Sequence, residues 1–385
     1  MISNSRLIQN FLIFTFIYVF FCIFLFLHPL KKIHHALLLK DYPKYCHLLT
    51  MFRKDNQTKN IRPLLFETSF QKCIQLQQLQ FSLPSTEDEK IKIKKTIGII
   101  VAAHNNGEVI EKMINFLQND DILFFIHFSK NCNYSRKIEL PNTYMLQRHD
   151  VNYPGFTIVT SLLYCYEEVL NSPYHFDYIA YISGYCYPLI NSQTLLNICQ
   201  QTKLQNLNFL QIVPMTPGFY NRLKRYSNID HQVEDWIFYF IKKNYPIKKM
   251  PFKELHVGQN WCMLTYETIL YIMDFVNKNP DIANFFYFTR SSSEHFFHCI
   301  LGNSKMSTLT KKQFVFCYWK GSEHAAKLTR SDIKVAYKNG ALFARKIVHG
   351  YNDELIHVIE NQAKNCQYNV GFTNNITDYR PYICS

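Results

Sequence analysis

Glycine is scarce in this 385-residue chain, at 11 residues, and no two glycines stand in a G-x-G-x-x-G fingerprint or a Walker-type loop. Dinucleotide-binding and P-loop sites of the usual kinds are therefore excluded, as are loop-rich repeats. A G-x-S-x-G elbow and an H-E-x-x-H helix are also missing, which removes the hydrolase and zincin readings. The 12 cysteines contain no C-x-x-C pair, so zinc-ribbon spacing is absent. Charged residues are only 18% against 48% hydrophobic, which excludes extensive disorder and leaves ample apolar surface for one large domain with appendages. Acidic residues are the scarcer sign, 29 against 42 basic, a net charge of +13. That excess favours an anionic partner: nucleic acid, a membrane surface or a phosphate-bearing small molecule. The many dispersed cysteines suit an oxidising compartment.

From Leu7 to Leu30 there is no Lys, Arg, Asp or Glu, and Phe11 to Leu27 is apolar apart from Thr15. As a helix the stretch would reach ~36 Å, enough to cross a bilayer. Bulky Leu27, His28, Pro29 and Leu30 run straight into Lys31 and Lys32 with no small-residue cleavage site, so an uncleaved transmembrane helix is expected. The resulting plan is a short tail (1–6), a signal anchor (7–30), a polar, Gln-rich stem (31–93) and a catalytic body (94–385). Lys31, Lys32 and Lys40 follow the span while Arg6 precedes it, which by the positive-inside rule alone would favour a cytoplasmic body. Three glycosylation sequons, at Asn56, Asn133 and Asn375, together with the cysteines, favour a luminal one.

The body opens with a βαβ rhythm. An apolar run from Thr96 to His104 precedes a helical pattern with Ile110, Ile114 and Leu117 on one face, and a second apolar run spans Ile122 to Phe128. A short strand at YMLQR, a helix from Phe156 to Leu170, a strand from Tyr178 to Gly184, a helix around Thr194 to Cys199 and a strand NFLQIV continue it. This pattern predicts an α/β fold, a parallel Rossmann-type sheet with helices on both faces. In such sheets ligands bind outside the carboxyl ends of the strands, so His104 to Gly107, Ser129 to Asn131 and Gly184 to Pro188 are expected along one crevice.

Among carboxylates, Glu294 stands out. Ser291 three residues before it has the form of a capping box, so Glu294 could simply cap a helix. A carboxylate at a helix N-terminus is also held in the charged form that a general base requires. Neighbouring His295, His298 and Cys299 lack metal-site spacing and read as structural. Toward the C-terminus, Thr329 with Asp332 should cap a helix that Asn339-Gly340 ends, and Ala341 to Ile347 should then be extended. On that extended segment Arg345 and Lys346 would point to opposite faces, so only one could reach a common ligand.

Six segments in order, IGIIVAAHNN through FFIHFSK, VNYPGFTIV, YIAYISGYCYPLI, VGQNWCMLTYETILYIMDF, SSSEHFFHCILGNS and WKGSEHAAKLTRSDIKVAYKNGALFARKI, resemble the core-2/I-branching β-1,6-N-acetylglucosaminyltransferase and peptide O-xylosyltransferase family (glycosyltransferase family 14). The resemblance covers Thr96 to Glu360. It implies a single-pass type II Golgi membrane protein whose luminal domain has a GT-A-like fold. It further implies an inverting transferase that takes a UDP-sugar donor and a glycoprotein or glycan acceptor, with no cofactor and, in branching members, no metal. No D-x-D occurs in the chain, so lysine or arginine must meet the departing diphosphate. The family's terminal F-A-x-K-F motif gives that role to Lys346, with Lys327 a second candidate. Its acidic S-E position falls on Glu294 as the base. His104, Ser129 and Gly155 are the expected nucleotide-sugar neighbours, and Gln211, Trp261 and Trp319 the acceptor side.

The family pattern is broken in places. Where it has H-V-D this chain has His127-Phe-Ser129, where it has G-x-D it has Gly184-Tyr-Cys186, W-G-G is Tyr153-Pro154-Gly155, and N-x-x-E is Asn208-Phe-Leu-Gln211. These departures leave a different donor or acceptor, or a non-catalytic glycan- or UDP-binding role, as alternatives. EHFFHCILGNS and GALFARK sit nearer the xylosyltransferase side. Basic runs at Arg222 to Tyr226 and Lys242 to Lys249 would suit nucleic acid only outside the lumen, so no nucleic-acid partner is expected. From the family, Cys46 and Cys73 are expected to pair with Cys366 and Cys384, tying stem to tail.

Overall fold

Ser85 starts the first helix: its hydroxyl accepts the Asp88 N–H at 3.2 Å and the Asp88 carboxylate accepts the Ser85 N–H at 2.9 Å, a reciprocal cap for α1 (Thr86–Ile91). The computed structural model describes residues 79–132, 134, 137–225, 227, 229–230, 251–287, 289–305, 308–309, 313–319, 321, 324–369 and 382–384. The expected anchor at 7–30, the three sequons, Cys46, Cys73 and the basic run 242–249 lie outside the described residues. Among the described residues no helix is long and apolar enough to cross a membrane.

The βαβ rhythm is present. β1 (Ile93–Ala103) leads to α2 (Gly107–Phe116), β2 (Ile122–Phe128), β3 (Thr143–Met145), α3 (Thr157–Leu170) and β4 (Tyr174–Ser183). Next come β5 (Tyr187–Pro188), α4 (Ser192–Lys203), β6 (Leu207–Asn208) and α5 (Pro217–Lys224). They are followed by β7 (Cys262–Thr265), α6 (Tyr266–Lys278), α7 (Pro280–Tyr287), a 3₁₀ turn (Ser292–Glu294) and α8 (Phe296–Gly302). The chain continues through β8 (Thr308–Leu309), β9 (Val315–Cys317), α9 (Arg330–Asn339), β10 (Phe343–Arg345), α10 (Asp353–Lys364), β11 (Cys366–Tyr368) and β12 (Tyr382–Cys384).

The main sheet has the order β3-β2-β1-β4-β7. β1 runs parallel to both β2 and β4, and only β7 is antiparallel to its neighbour. Alternate residues of a strand point to opposite faces, and here both faces are apolar. Ile97, Ile99, Val101, Phe124 and Ile126 pack with Ile110 and Met113 of α2 and Leu195 and Ile198 of α4. Ile100, Leu123, Phe125 and Ile179 pack with Leu162 and Leu163 of α3 and Ile269 and Met273 of α6. Helices therefore cover both faces, and Ile110, Ile114 and Leu117 share the buried side of their segment as the periodicity predicts. Truncating a core ring such as Phe124, which is fully buried, costs about 3–5 kcal/mol in sites of this kind.

The expected strand NFLQIV is shorter than its apolar pattern. Only Leu207–Asn208 pairs as a strand, and Phe209 and Val213 make isolated bridges to Met263 and Val257. The Asn208 side chain takes the Thr265 N–H at 2.9 Å, so a side chain does there what a ladder bond would do. Residues 79–92 pack onto the body: the Phe81 backbone and the Asn277 amide exchange hydrogen bonds of 2.8 and 2.9 Å, and Lys92 reaches Glu89 and Tyr266 at 2.9 and 3.0 Å.

A second sheet has the order β5-β10-β9, with β10 antiparallel to β5 and parallel to β9. It carries the Ala341–Ile347 segment, and the cap before it is as expected: Asp332 accepts from Thr329 at 2.8 Å, and Gly340 ends α9 at φ 72°. The cysteine expectation is corrected. Cys366 and Cys384 are bonded to each other, because antiparallel β11 and β12 set them directly opposite. Neither is left to pair with the stem.

Candidate active site

β1 turns through α2 to β2 and β3 on one side, and β4 resumes on the other. The carboxyl ends of β1 and β4 thus flank a topological switch point, where open α/β sheets hold ligands. Three cations gather on this rim. The Arg345 guanidinium carbon lies 4.5 Å from the centre of the Trp261 ring, and Nε donates to Ser183 Oγ at 3.2 Å. Lys346 Nζ is 4.4 Å from the centre of the Tyr185 ring, and Lys327 Nζ is 4.2 Å from that of Tyr351.

Lys346 has its pKa held below the ordinary lysine value by burial and then by Arg345 and Lys327. His104, whose ring centre is 5.8 Å from that of Tyr185, is likewise held low by burial, then by Lys346 and Arg345. Both cations therefore bear on the same crevice, which corrects the expectation that only one could reach it. β10 ends at Arg345, so Lys346 lies past the ladder and strand alternation no longer governs its direction. The Arg345–Lys346 and Tyr153–Pro154 peptides are cis. The partners of these cations are aromatic faces, a hydroxyl and a thiol, and among the described residues no carboxylate pairs with them. Such a cluster is suited to an anion as highly charged as a diphosphate.

Glu294 is not the capping residue that its spacing predicts. Ser291 adopts φ 54°, makes no side-chain cap bond, and gives its N–H to Pro154 O at 2.7 Å. Ser291 holds the N-cap position in a left-handed conformation without a side-chain cap bond, and Glu294 ends the 3₁₀ turn with its carboxylate free of any capping role. There its carboxylate meets Arg222 of α5 at 3.0 Å, while its carbonyl accepts the Gly258 N–H at 3.0 Å. Burial raises the Glu294 pKa above the ordinary carboxylate value, and Arg222 pulls it back. A carboxylate with a raised pKa is a stronger base than an exposed one, and the guanidinium beside it favours the charged form.

Tyr153 feels the charges of both halves. It is 62% exposed. Burial and Glu294 raise the pKa of its hydroxyl, while Arg345 lowers it. Glu294 and Arg345 thus act on a common group, the Tyr153 hydroxyl.

The remaining expected residues fall on one side or the other. Ser129 is buried at the end of β2, with its N–H given to Ala103 O at 3.0 Å. Trp261 lies under Arg345, on the cation side. Trp319 is 44% exposed just beyond β9. Gly155 sits by the Glu294 turn, where a Cβ would come within 2.0 Å of Asp230. Asp230 caps α3 by accepting the Phe156 N–H at 2.6 Å. The Gln211 carbonyl packs against Gly258, next to the buried His298 ring. Burial drives the His298 pKa down to about 3, and among the described residues no group of His, Cys, Asp and Glu is arranged to hold a metal. Cys186 is a buried thiol pushed up to about 11, so the position where the family has an acid is neutral here. Tyr185 lies in the expected crevice segment Gly184 to Pro188, whereas sequence reasoning missed Tyr153 and Arg222 as site residues, although Arg222 stands in a visible basic run.

The family model described as Core-2/I-Branching enzyme matches residues 99–339. The chain belongs to the core-2/I-branching enzyme family. It is accordingly a glycosyltransferase, and its mixed α/β body with a largely parallel central sheet is of the kind a GT-A-like fold requires. The matched span runs from β1 to the end of α9. It includes Glu294 and stops just before Arg345 and Lys346. No curated protein matches this sequence. Among solved structures, the apo form of mouse xyloside xylosyltransferase 1 is similar at 10% identity and a TM-score of 0.33, over 66% of this chain and 97% of that one.

Proposed function

We propose that this protein is an inverting, metal-independent glycosyltransferase that moves GlcNAc from UDP-GlcNAc to a glycoprotein O-glycan as a β-1,6 branch. One observation carries the reading: Glu294 and Arg345 both act electrostatically on the Tyr153 hydroxyl, and Lys346, resting on Tyr185, adjoins Arg345 at the end of β10. In this reading Glu294 takes the proton of the acceptor hydroxyl, that oxygen attacks the anomeric carbon, and UDP leaves from the opposite side toward Lys346 and Arg345. The charge that develops on the diphosphate is met by side-chain cations already in place, the role a metal ion has in D-x-D enzymes. His104 and Ser129 line the nucleotide side; Gln211 and Trp319 line the acceptor side.

The test is UDP release from UDP-GlcNAc by the full chain with an O-glycan acceptor, in the presence and absence of EDTA. EDTA-resistant release supports the reading, and release that stops with EDTA overturns its metal-independent part. UDP-xylose is the second donor to assay, because EHFFHCILGNS and GALFARK lie nearer the xylosyltransferase side. No turnover with any donor would leave a UDP- or glycan-binding role.

The proposed setting is the Golgi lumen, with 7–30 as the signal anchor and glycans on Asn56, Asn133 and Asn375. A mobility shift on enzymatic deglycosylation is the expected result, and an unshifted band would contradict luminal placement.

A further inference from the structure

Asn106 occupies the N-cap position of α2 in a left-handed conformation, φ 70°, yet its side chain makes no capping bond. Asparagine is among the few non-glycine residues that adopt this backbone readily. Its carboxamide is engaged elsewhere: Nδ2 donates to Gly184 O at 2.7 Å and to Ile347 O at 3.1 Å, and Oδ1 accepts the His349 N–H at 3.0 Å. One side chain thus joins the loop after β1, the loop after β4 and the segment after β10.

These bonds bracket Lys346. Its ammonium rests on the ring of Tyr185, which follows Gly184, and its own carbonyl accepts the Leu328 N–H at 3.1 Å. The next residue, Ile347, gives its N–H to Tyr185 O at 3.0 Å and its carbonyl to Asn106. Asn106 therefore fixes the residue before Tyr185 and the residue after Lys346 at once. Close approach of the loops is a precondition, and Gly184 permits it: a Cβ there would lie 2.9 Å from Ala103 Cβ and 3.3 Å from Asn105 O. Aspartate could not donate to either carbonyl, and serine has a single donor on a shorter arm.

We propose that Asn106 is a positioning residue for donor binding, acting through Lys346 by holding its ammonium over Tyr185 at the diphosphate site. This rests on the reading of Lys346 as the phosphate-binding cation. The test is a double-mutant cycle on the full chain, with the Kd for UDP measured by calorimetry for the wild type, Asn106→Gly, Lys346→Ala and the double variant. Glycine keeps the left-handed backbone and removes all three bonds. Lys346→Ala is expected to weaken UDP by about tenfold or more, and Asn106→Gly by about fivefold in the wild-type background but less than about twofold once Lys346 is gone. Should Asn106→Gly not fold, Asn106→Asp, which keeps the acceptor and removes the donors, is expected to give the same pattern. An unchanged Kd for the Asn106 variant, or the same factor in both backgrounds, overturns the proposal while leaving the role of Lys346 intact. An unchanged Kd for Lys346→Ala overturns both.

Discussion

The Glu294 carboxylate meets the Arg222 guanidinium at 3.0 Å across 72 residues of sequence. The contact links α5 to the 3₁₀ turn and controls how readily the carboxylate takes a proton. Burial raises the Glu294 pKa above 4.5, and Arg222 opposes that rise. A general base must be ionised, so activity is expected to fall on the acid side through a pKa above the ordinary carboxylate value. Arg222→Gln removes the opposing charge and moves that limb to higher pH. A pH profile of kcat/KM checks this, and an acid limb that stays put or moves down would remove Arg222 from the pair.

Lys346 is the residue on which the donor side depends most. Loss of one charge-assisted contact to phosphate is worth about 1.5–3 kcal/mol, so Lys346→Ala should weaken UDP by roughly 10- to 150-fold. Its lowered pKa adds a sign. The ammonium is lost as pH rises, at lower pH than for an exposed lysine, so UDP affinity should decline early on the alkaline side. Calorimetry across pH measures both.

Trp261 separates two readings of the same residue. The family resemblance puts it with the acceptor, whereas the structure sets it under Arg345 at 4.5 Å. Cation–π contacts of this type are worth about 0.5–2 kcal/mol, so Trp261→Leu should raise the donor KM by roughly two- to thirtyfold and leave the acceptor KM little changed. The opposite split would return Trp261 to the acceptor.

The Cys366–Cys384 bond closes a loop whose ends are 18 residues apart. Cross-links over loops of this size contribute about 3 kcal/mol. Cys366→Ser with Cys384→Ser should therefore lower Tm by several degrees, and peptide mapping of the oxidised protein should find these two cysteines linked. A Cys46 or Cys73 peptide attached to either would contradict the pairing.

The main sheet was legible because β1, β2 and β4 are buried on both faces and so read as continuous apolar runs. The cap at Thr329 and Asp332 and the stop at Gly340 were legible because both are local. The β5-β10-β9 sheet was not, since its strands are two or three residues long and Tyr187 finds Ala344 from far away in the chain. Glu294 was picked out for its type and position, but the capping role assigned to its spacing fails on one dihedral angle, the positive φ of Ser291. Arg222 carries no local signal of its partner, because it becomes a site residue only when the fold brings Glu294 to 3.0 Å from it.

The central claim is that Glu294 performs the proton transfer on a site whose nucleotide half is separate. Glu294→Gln keeps the shape of the side chain and removes its basicity. In a sugar-transfer assay paired with UDP calorimetry on the same preparation, transfer should fall by about 10²- to 10⁴-fold while the Kd for UDP stays within about twofold. Undiminished turnover by Glu294→Gln would contradict the account.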